Sequence, residues 1–295
     1  MSANVMSVAT QTQRHAPGVG AATLSLMSDN KILLFHTKCQ LRCKYCHFSF
    51  EQTGFNGYDK FHECGKSLTA REMLDGLEQF RPYHIEFTGG EPLLWSGFRD
   101  FVHWMPSDCR WAITSNTILD VSGLDVSKCI SWTASHHGFD EERFCTNVRY
   151  LRNIVQTSIS FVIPFAEVKT TLIKANKTRL STGVRVNLLR ELNKSVSWEN
   201  TEQLSLLRSM PSGFFNVVED DIPMSYEFES GFSCHGGADY VCVFTDGQVF
   251  NCYSDAMVGD SAGDIRSFKK RDGVFDCYAK CLGCALDHKA RMKKL

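Results

Sequence analysis

The sequence has no run of roughly 18 apolar residues, the length a membrane-spanning helix needs, so nothing in it marks a span or an anchor. It has no surplus of charge either: 32 Lys and Arg stand against 33 Asp and Glu, a net charge of -1. The electrostatic footprint of a nucleic-acid binder is therefore missing from the chain as a whole, and only the tail HKARMKKL is locally basic. Residues 1–30 lack the apolar core of a secretory signal, hold a single Arg where a transit peptide would hold several, and meet their first acid at Asp29; they read as a flexible leader. No internal repeat or low-complexity tract is present. Without a signal, 13 cysteines point to a reducing compartment, the cytoplasm, where thiols serve metals or catalysis rather than disulfides. What remains is an ordinary globular composition, 43% hydrophobic and 22% charged, long enough for one large core and a smaller appendage.

Short apolar runs of strand type fall at 31–39, 84–91, 110–116, 129–137, 157–165 and 183–192, separated by stretches of helical period. Between the first two, Ala70, Met73, Leu74, Leu77 and Phe80 share one helical face, and Thr69 with Glu72 has the spacing of a capping box. Phe144, Val148, Leu151 and Val155 repeat at the same period between the fourth and fifth runs. Continuous strands alternating with helices predict a parallel sheet covered on its faces, with polar groups gathered where the strands end. Six such units are fewer than the eight that close a barrel, so the expected fold is α/β, a partial (β/α)6 TIM-like barrel over residues 31–215. WENTEQLSLLRSM predicts one more helix, after which NVVEDDIPMSYEFESGF is acidic and irregular and marks a domain boundary. Beyond it YVCVFTDGQVFNC reads as a β-hairpin, Asp246 and Gly247 being residue types that a tight primed turn selects.

KCQLRCKYCHF, residues 38–48, places Cys39, Cys43 and Cys46 at the mouth of the first strand. One loop with that spacing can wrap three corners of an iron-sulfur cubane and leave the fourth iron open to a substrate or cofactor. Structural zinc is the alternative, but it wants a fourth Cys or His nearby, and His47 adjoins Cys46 too closely to share its metal.

CxxxCxxC with Tyr45 before the third cysteine, followed at the end of the second strand by GGEP (89–92), resembles the radical S-adenosylmethionine (SAM) superfamily. That resemblance implies a SAM-binding [4Fe-4S] cluster on Cys39, Cys43 and Cys46, and SAM held by Tyr45, Gly89, Gly90, Glu91, Pro92, Asn116, Ser135 and Asn187, with an apolar adenine contact near Leu188. It also implies reductive cleavage of SAM to a 5'-deoxyadenosyl radical that takes a hydrogen atom from the substrate. Cys234, Gly247, Cys252 and the pair Cys281 and Cys284 resemble the twitch domain, the shortened relative of the SPASM domain, and imply a second [4Fe-4S] cluster in a small hairpin and helix domain over 216–295. A zinc ribbon is the alternative for that set.

A cluster with four thiolate ligands has no open iron, so its task is electron transfer. The resemblance then implies dehydrogenation of a small molecule such as a sugar or aminocyclitol, or epimerisation if Cys242 or Cys277 returns a hydrogen atom to the substrate carbon. Ribosomal-peptide maturation is a further outcome, and a zinc-stabilised binding module is the non-enzyme reading. With 38 residues before Cys39, no leader-binding domain is expected, which favours a small molecule or short peptide. The implied partner is an external one-electron reductant of flavodoxin or ferredoxin type. His136 and His137 end the fourth strand, and His137 is a candidate base. The acidic group Glu219, Asp220, Asp221, Glu227 and Glu229 would attract an amine, or is a solvated linker. Cys64, Cys109, Cys129 and Cys145 read as buried structural thiols.

Overall fold

The computed structural model describes residues 30–43, 46, 66–190, 201–218, 233–234, 236–273 and 275–276. All six apolar runs form strands: β1 (Asn30–His36), β2 (Tyr83–Gly89), β3 (Arg110–Ser115), β4 (Cys129–His136), β5 (Thr157–Ile163) and β6 (Val186–Arg190). They lie side by side in chain order, every pair parallel. Parallel neighbours need crossovers, and α1 (Ala70–Leu77), α2 (Phe98–Trp104), α3 (Glu141–Leu151) and α4 (Val168–Thr182) supply them. The crossover from β3 to β4 carries no helix. Instead Asn147 of α3 donates from Nδ2 to the carbonyls of Thr117 and Leu119 and pins that loop to the barrel wall.

Helix starts follow local chemistry. Thr69 caps α1 by accepting from the Glu72 N–H at 3.3 Å, while its own N–H donates to Glu72 Oε2 at 2.8 Å, so two otherwise orphaned donors are satisfied reciprocally. Along each strand alternate side chains face the helices: Ile32 and Leu34, Ile85 and Phe87, Trp111 and Ile113, Ile159 and Phe161 are buried with Met73, Leu77, Phe101 and Leu151 in one core. Phe87 sits at its centre, edge-on to Phe98, Phe101 and Trp111 with ring centroids 4.9, 5.8 and 5.8 Å away. Each such ring contributes about 1.5–3 kcal/mol by leaving water.

Two features depart from the sequence reading. The stretch taken as irregular from residue 216 opens with a seventh parallel strand: α5 (Glu202–Arg208) leads into β7 (Phe215–Val218), which pairs with β6. Four residues with two valines form a signal too short to separate from loop, and the ladder with β6 decides it. The hairpin of β9 (Tyr240–Phe244) and β10 (Gln248–Phe250) is present, yet its turn is not the primed type. Gly247 alone of the pair has positive φ, at 99°, the Gly247 N–H donates to the Phe244 carbonyl, and Val243 pairs with Val249 across a longer connection.

That hairpin continues the barrel sheet. β9 runs parallel to β1 with Leu33 opposite Cys242, and β11 (Gly263–Asp264) follows β10 at the edge. The result is a ten-stranded, mostly parallel, unclosed sheet with β11 and β7 at its borders. A two-stranded ladder of β8 (Ser233–Cys234) and β12 (Phe275–Asp276), the helix α6 (Tyr253–Val258) and three single 3-10 turns complete the described elements. Among the described residues no helix is long and apolar enough to cross a membrane.

Candidate active site

The site forms where β1, β2 and β3 end. After His36 the chain turns into the cysteine loop, in which Cys39, Cys43 and Cys46 are all half-buried. The Cys46 N–H donates to the Cys43 carbonyl at 3.1 Å, and the Leu41 N–H donates to Cys39 Sγ at 3.4 Å. Burial pushes the Cys39 thiol up and the Cys43 thiol up to about 12, and each thiol's neighbours in the set add to the shift because a second thiolate would meet a first. Two thiols that resist ionisation alone, Cys39 and Cys43, together with Cys46 make a donor set of the kind that a metal cluster supplies with compensating positive charge. They fit the cluster that the motif implies. Among the described residues no three His, Cys, Asp or Glu side chains converge as a single-ion site requires.

The GGEP segment is laid directly on that loop. The Gly90 N–H donates to the His36 carbonyl at 2.7 Å and the Glu91 N–H to the Lys38 carbonyl at 2.8 Å. A Cβ at Gly90 would fall 2.6 Å from the Lys38 carbonyl carbon and 3.1 Å from Cys39 Cβ; one at Gly89, whose φ is 109°, would fall 2.5 Å from the His36 carbonyl oxygen. Glycine is required at both places because backbone approaches backbone.

Glu91 turns inward. Its carboxylate has no exposed surface and accepts from Ser115 Oγ at 2.8 Å, the Asn116 N–H at 2.7 Å and the Leu93 N–H at 3.1 Å. Burial pushes its pKa up to about 7 against the pull of those three bonds. The side chain thus braces the end of β2 against the end of β3. Pro92 follows as the first residue of a single 3-10 turn. Asn116, brought beside the cysteine loop by this brace, accepts at Oδ1 from Gln40 Nε2 at 3.4 Å and from the Ile118 N–H at 3.2 Å. Its Nδ2 is buried without a partner, a donor that a carboxylate or hydroxyl of a bound molecule would satisfy.

Farther round the sheet, Ser135 and Asn187 lie on the face away from the helices, half-buried. Leu188 does not. It has no exposed surface and belongs to the helix-side core, because the pleat turns its neighbour Leu189 to the inner face instead. The apolar side chain that this stretch of β6 turns to the inner face is thus Leu189. His136 also faces the core: it is stacked on Phe161 at 4.2 Å, edge-on to Phe144 at 4.9 Å, and its Nε2 meets the Glu141 carboxylate. His137 is half-buried, and desolvation, with His136 beside it, lowers its pKa to about 4, so it is a neutral imidazole at pH 7.

Cys242 is fully buried in a second apolar cluster on the inner face with Phe35, Tyr240, Phe244 and Phe250, against which Cys46, Cys252 and Tyr253 also pack. Its S–H donates to Tyr240 Oη at 3.6 Å, and burial holds the thiol well above its usual pKa. The sequence reading missed this seam, in which Tyr253 stacks on Phe35 at 5.9 Å and joins the first cysteine loop to Cys252. No periodicity links residues 35, 46, 242 and 253. Tyr45, Cys277, Cys281, Cys284, Cys64 and the acidic group at 219–229 lie outside the described residues, and for Cys234 the backbone alone is described.

No curated protein matches the chain. Solved structures that share its fold at low identity include SuiB and anSMEcpe. SuiB of Streptococcus suis bound to precursor peptide SuiA has 12% identity and a TM-score of 0.57 over 82% of this chain and 63% of that one. Hexahistidine-tagged anSMEcpe with bound AdoMet has 14% identity and 0.53 over 89% and 79%; native anSMEcpe with bound AdoMet and Cp18Cys peptide has 13% and 0.52 over 88% and 81%. The chain thus spans less than two thirds of SuiB's length. The family model of the Radical SAM superfamily matches residues 33–194, which takes in the cysteine loop, the GGEP segment and the strands that carry both, and the chain belongs to that superfamily.

Proposed function

We propose that this chain is a radical SAM enzyme acting on a small molecule, with dehydrogenation or epimerisation of a sugar-like alcohol as the outcome. One observation carries the reading: the Gly90 N–H donates to the His36 carbonyl and the Glu91 N–H to the Lys38 carbonyl, which lays the GGEP segment against the cysteine loop with Gly90 next to Cys39. When bound, the cluster and SAM supply a 5'-deoxyadenosyl radical that takes a hydrogen atom from the substrate. The chain's own part is to hold and orient. Cys39, Cys43 and Cys46 would ligate three irons. The backbone of Gly89, Gly90 and Glu91, with Tyr45, Pro92, Asn116, Ser135 and Asn187, would receive SAM, Asn116 through its unpartnered Nδ2. His137 is neutral at pH 7 and so has a free lone pair for a hydroxyl proton, but a pKa lowered to about 4 makes it a weak base.

Cys234, Cys252, Cys281 and Cys284 would hold the second cluster. Backbone pairing supports this. Cys234 lies opposite Phe275 in the β8–β12 ladder, and the Gly237 N–H donates at 3.0 Å to the carbonyl of Asn251, next to Cys252. Cys242 and Cys277 remain the candidate hydrogen donors; for Cys242 the protonated state suits that role, while its complete burial requires the hairpin to shift before a substrate reaches it. An external one-electron reductant is needed in either outcome. Peptide modification is the second reading, favoured by peptides bound to SuiB and anSMEcpe, whose fold this chain shares.

Protein purified without oxygen should be brown, hold about eight irons and release 5'-deoxyadenosine from SAM and a reductant. Colourless zinc protein would sink the proposal. In deuterated water, epimerisation puts solvent deuterium into the product, whereas dehydrogenation yields a product two hydrogens lighter.

A further inference from the structure

On the sheet face turned away from the helices, four consecutive strands present small polar side chains in register. Ser135 pairs with Ser160, Ser160 with Asn187 and Asn187 with Asn216, a single row from β4 to β7. A second row, one step toward the strand starts, runs Thr114, Thr133, Ser158. Their strand neighbours Ala134, Ile159, Phe161 and Val186 fill the helix-side core, so the pleat leaves these seven on the inner face.

None of the seven is fully buried, and their hydrogen-bonding capacity is largely unspent. Thr133 and Ser158 hydroxyls stand 3.5 Å apart, and Asn216 Nδ2 donates to Asn187 Oδ1 at 3.3 Å. Among the described residues the side-chain hydroxyls of Thr114, Ser135 and Ser160 have no hydrogen-bond partner, nor has Asn187 Nδ2. From Ala112 and Ser131 onward no strand residue of this face is charged between β3 and β7. Across the sheet, Lys31 and Glu86 on β1 and β2 neutralise one another at 3.1 Å. Val162 and Leu189, paired one step toward the strand ends, add an apolar tier beside the polar ones.

We propose that the part of this shelf not given to SAM, namely Ser160, Asn216 and the second row of Thr114, Thr133 and Ser158, binds the substrate and that the portion lying on it is a neutral polyhydroxylated ring. Hydroxyls both donate and accept, as Ser, Thr and Asn do, so such a ring pairs with the rows without burying a charge, and its C–H face rests on Val162 and Leu189. Among the described residues of β1 to β7 on this face the carboxylate is Glu86, already paired with Lys31, so an ammonium group over the rows would lose water without a free carboxylate from these strands to meet it. The inference rests on the reading of the barrel as a substrate chamber and narrows it: the amine-bearing cyclitol is disfavoured, and so is an extended peptide, which would need alternating side-chain pockets.

The test uses the full-length, anaerobically prepared protein and equilibrium dialysis with three probes: myo-inositol, the dicationic cyclitol 2-deoxystreptamine, and a neutral serine-glycine hexapeptide. SAM affinity and 5'-deoxyadenosine release are measured in parallel. We expect saturable myo-inositol binding, weakened about tenfold in Ser160→Val/Asn216→Leu by loss of two hydrogen-bonding groups and retained in Ser160→Thr, with SAM affinity falling much less. The proposal is overturned by no saturable myo-inositol binding, by binding indifferent to the double variant, by tighter binding of the dication or the peptide, or by a loss confined to SAM, which would give the row to the cofactor. Absence of 5'-deoxyadenosine from the wild type would instead sink the radical SAM reading, a separate result from the dialysis.

Discussion

Gly90 shows how one residue type carries the site. Glycine there was legible as part of a motif, but its physical reason, a Cβ that would lie 2.6 Å from the Lys38 carbonyl carbon, belongs to the folded chain. Gly90→Ala should force the cysteine loop outward and cost about 1–3 kcal/mol, with loss of most of the iron that the proposed cluster on Cys39, Cys43 and Cys46 would hold; iron analysis with thermal unfolding checks both. His36 gives a pH signature. Only 3% exposed, with Nδ1 at 2.9 Å from Thr245 Oγ1, it has a pKa lowered to about 4 by burial and then by Lys38. The unfolded chain is then the better proton binder between about 4 and 6.5. Its contribution to stability is whole above about 6.5 and is lost as pH falls toward 4, about 3 kcal/mol in all. His36→Gln should flatten that part of the acid limb in urea midpoints measured across pH 4–7; an unchanged slope would show that another group carries it.

At the scale of elements, strands and capped helices were the readable part. β1 to β6 and α1 follow from runs and periods that repeat locally, and the Thr69 and Glu72 box is a four-residue pattern. Thr69→Ala should lower stability by about 1 kcal/mol and the melting temperature by about 2–4 °C. Release of 5'-deoxyadenosine should be unaffected, since α1 packs on the face opposite the inner rows. β7 and the turn at Asp246 and Gly247 were not readable in the same way. The first is too short to show a period, and the second is set by where β9 must run to pair with β1. Leu188 shows the cost of one step along a strand: which of two adjacent leucines faces the chamber is a matter of pleat phase, fixed only by the ladder with β5.

For the whole molecule the consequence is continuity. The hairpin between Cys234 and Cys252 extends the sheet from β1, and Cys46 and Cys252 both pack against the apolar cluster in which Tyr253 stacks on Phe35. On the proposed reading, in which Cys252 ligates a second cluster, Cys252→Ser should reduce bound iron from about eight to about four while the first loop keeps its cluster and SAM cleavage persists at reduced product yield. Iron content and Mössbauer spectra of the variant measure this. Loss of all iron would mean that the second set is needed to fold the first.

The sequence by itself determined the chemistry that is local in the chain: the three-thiol loop, the glycines beside it, the parallel α/β alternation and the capped helix. Each rests on residues within one turn or one strand of each other. The tertiary structure decided what depends on distant partners: that Glu91 spends its carboxylate bracing β3, that His136 is a core residue, that Cys242 is enclosed, and that seven separate Ser, Thr and Asn residues line up on one face. Register between strands is a long-range hydrogen-bond choice, and a single chain's composition and period do not encode which row will meet which.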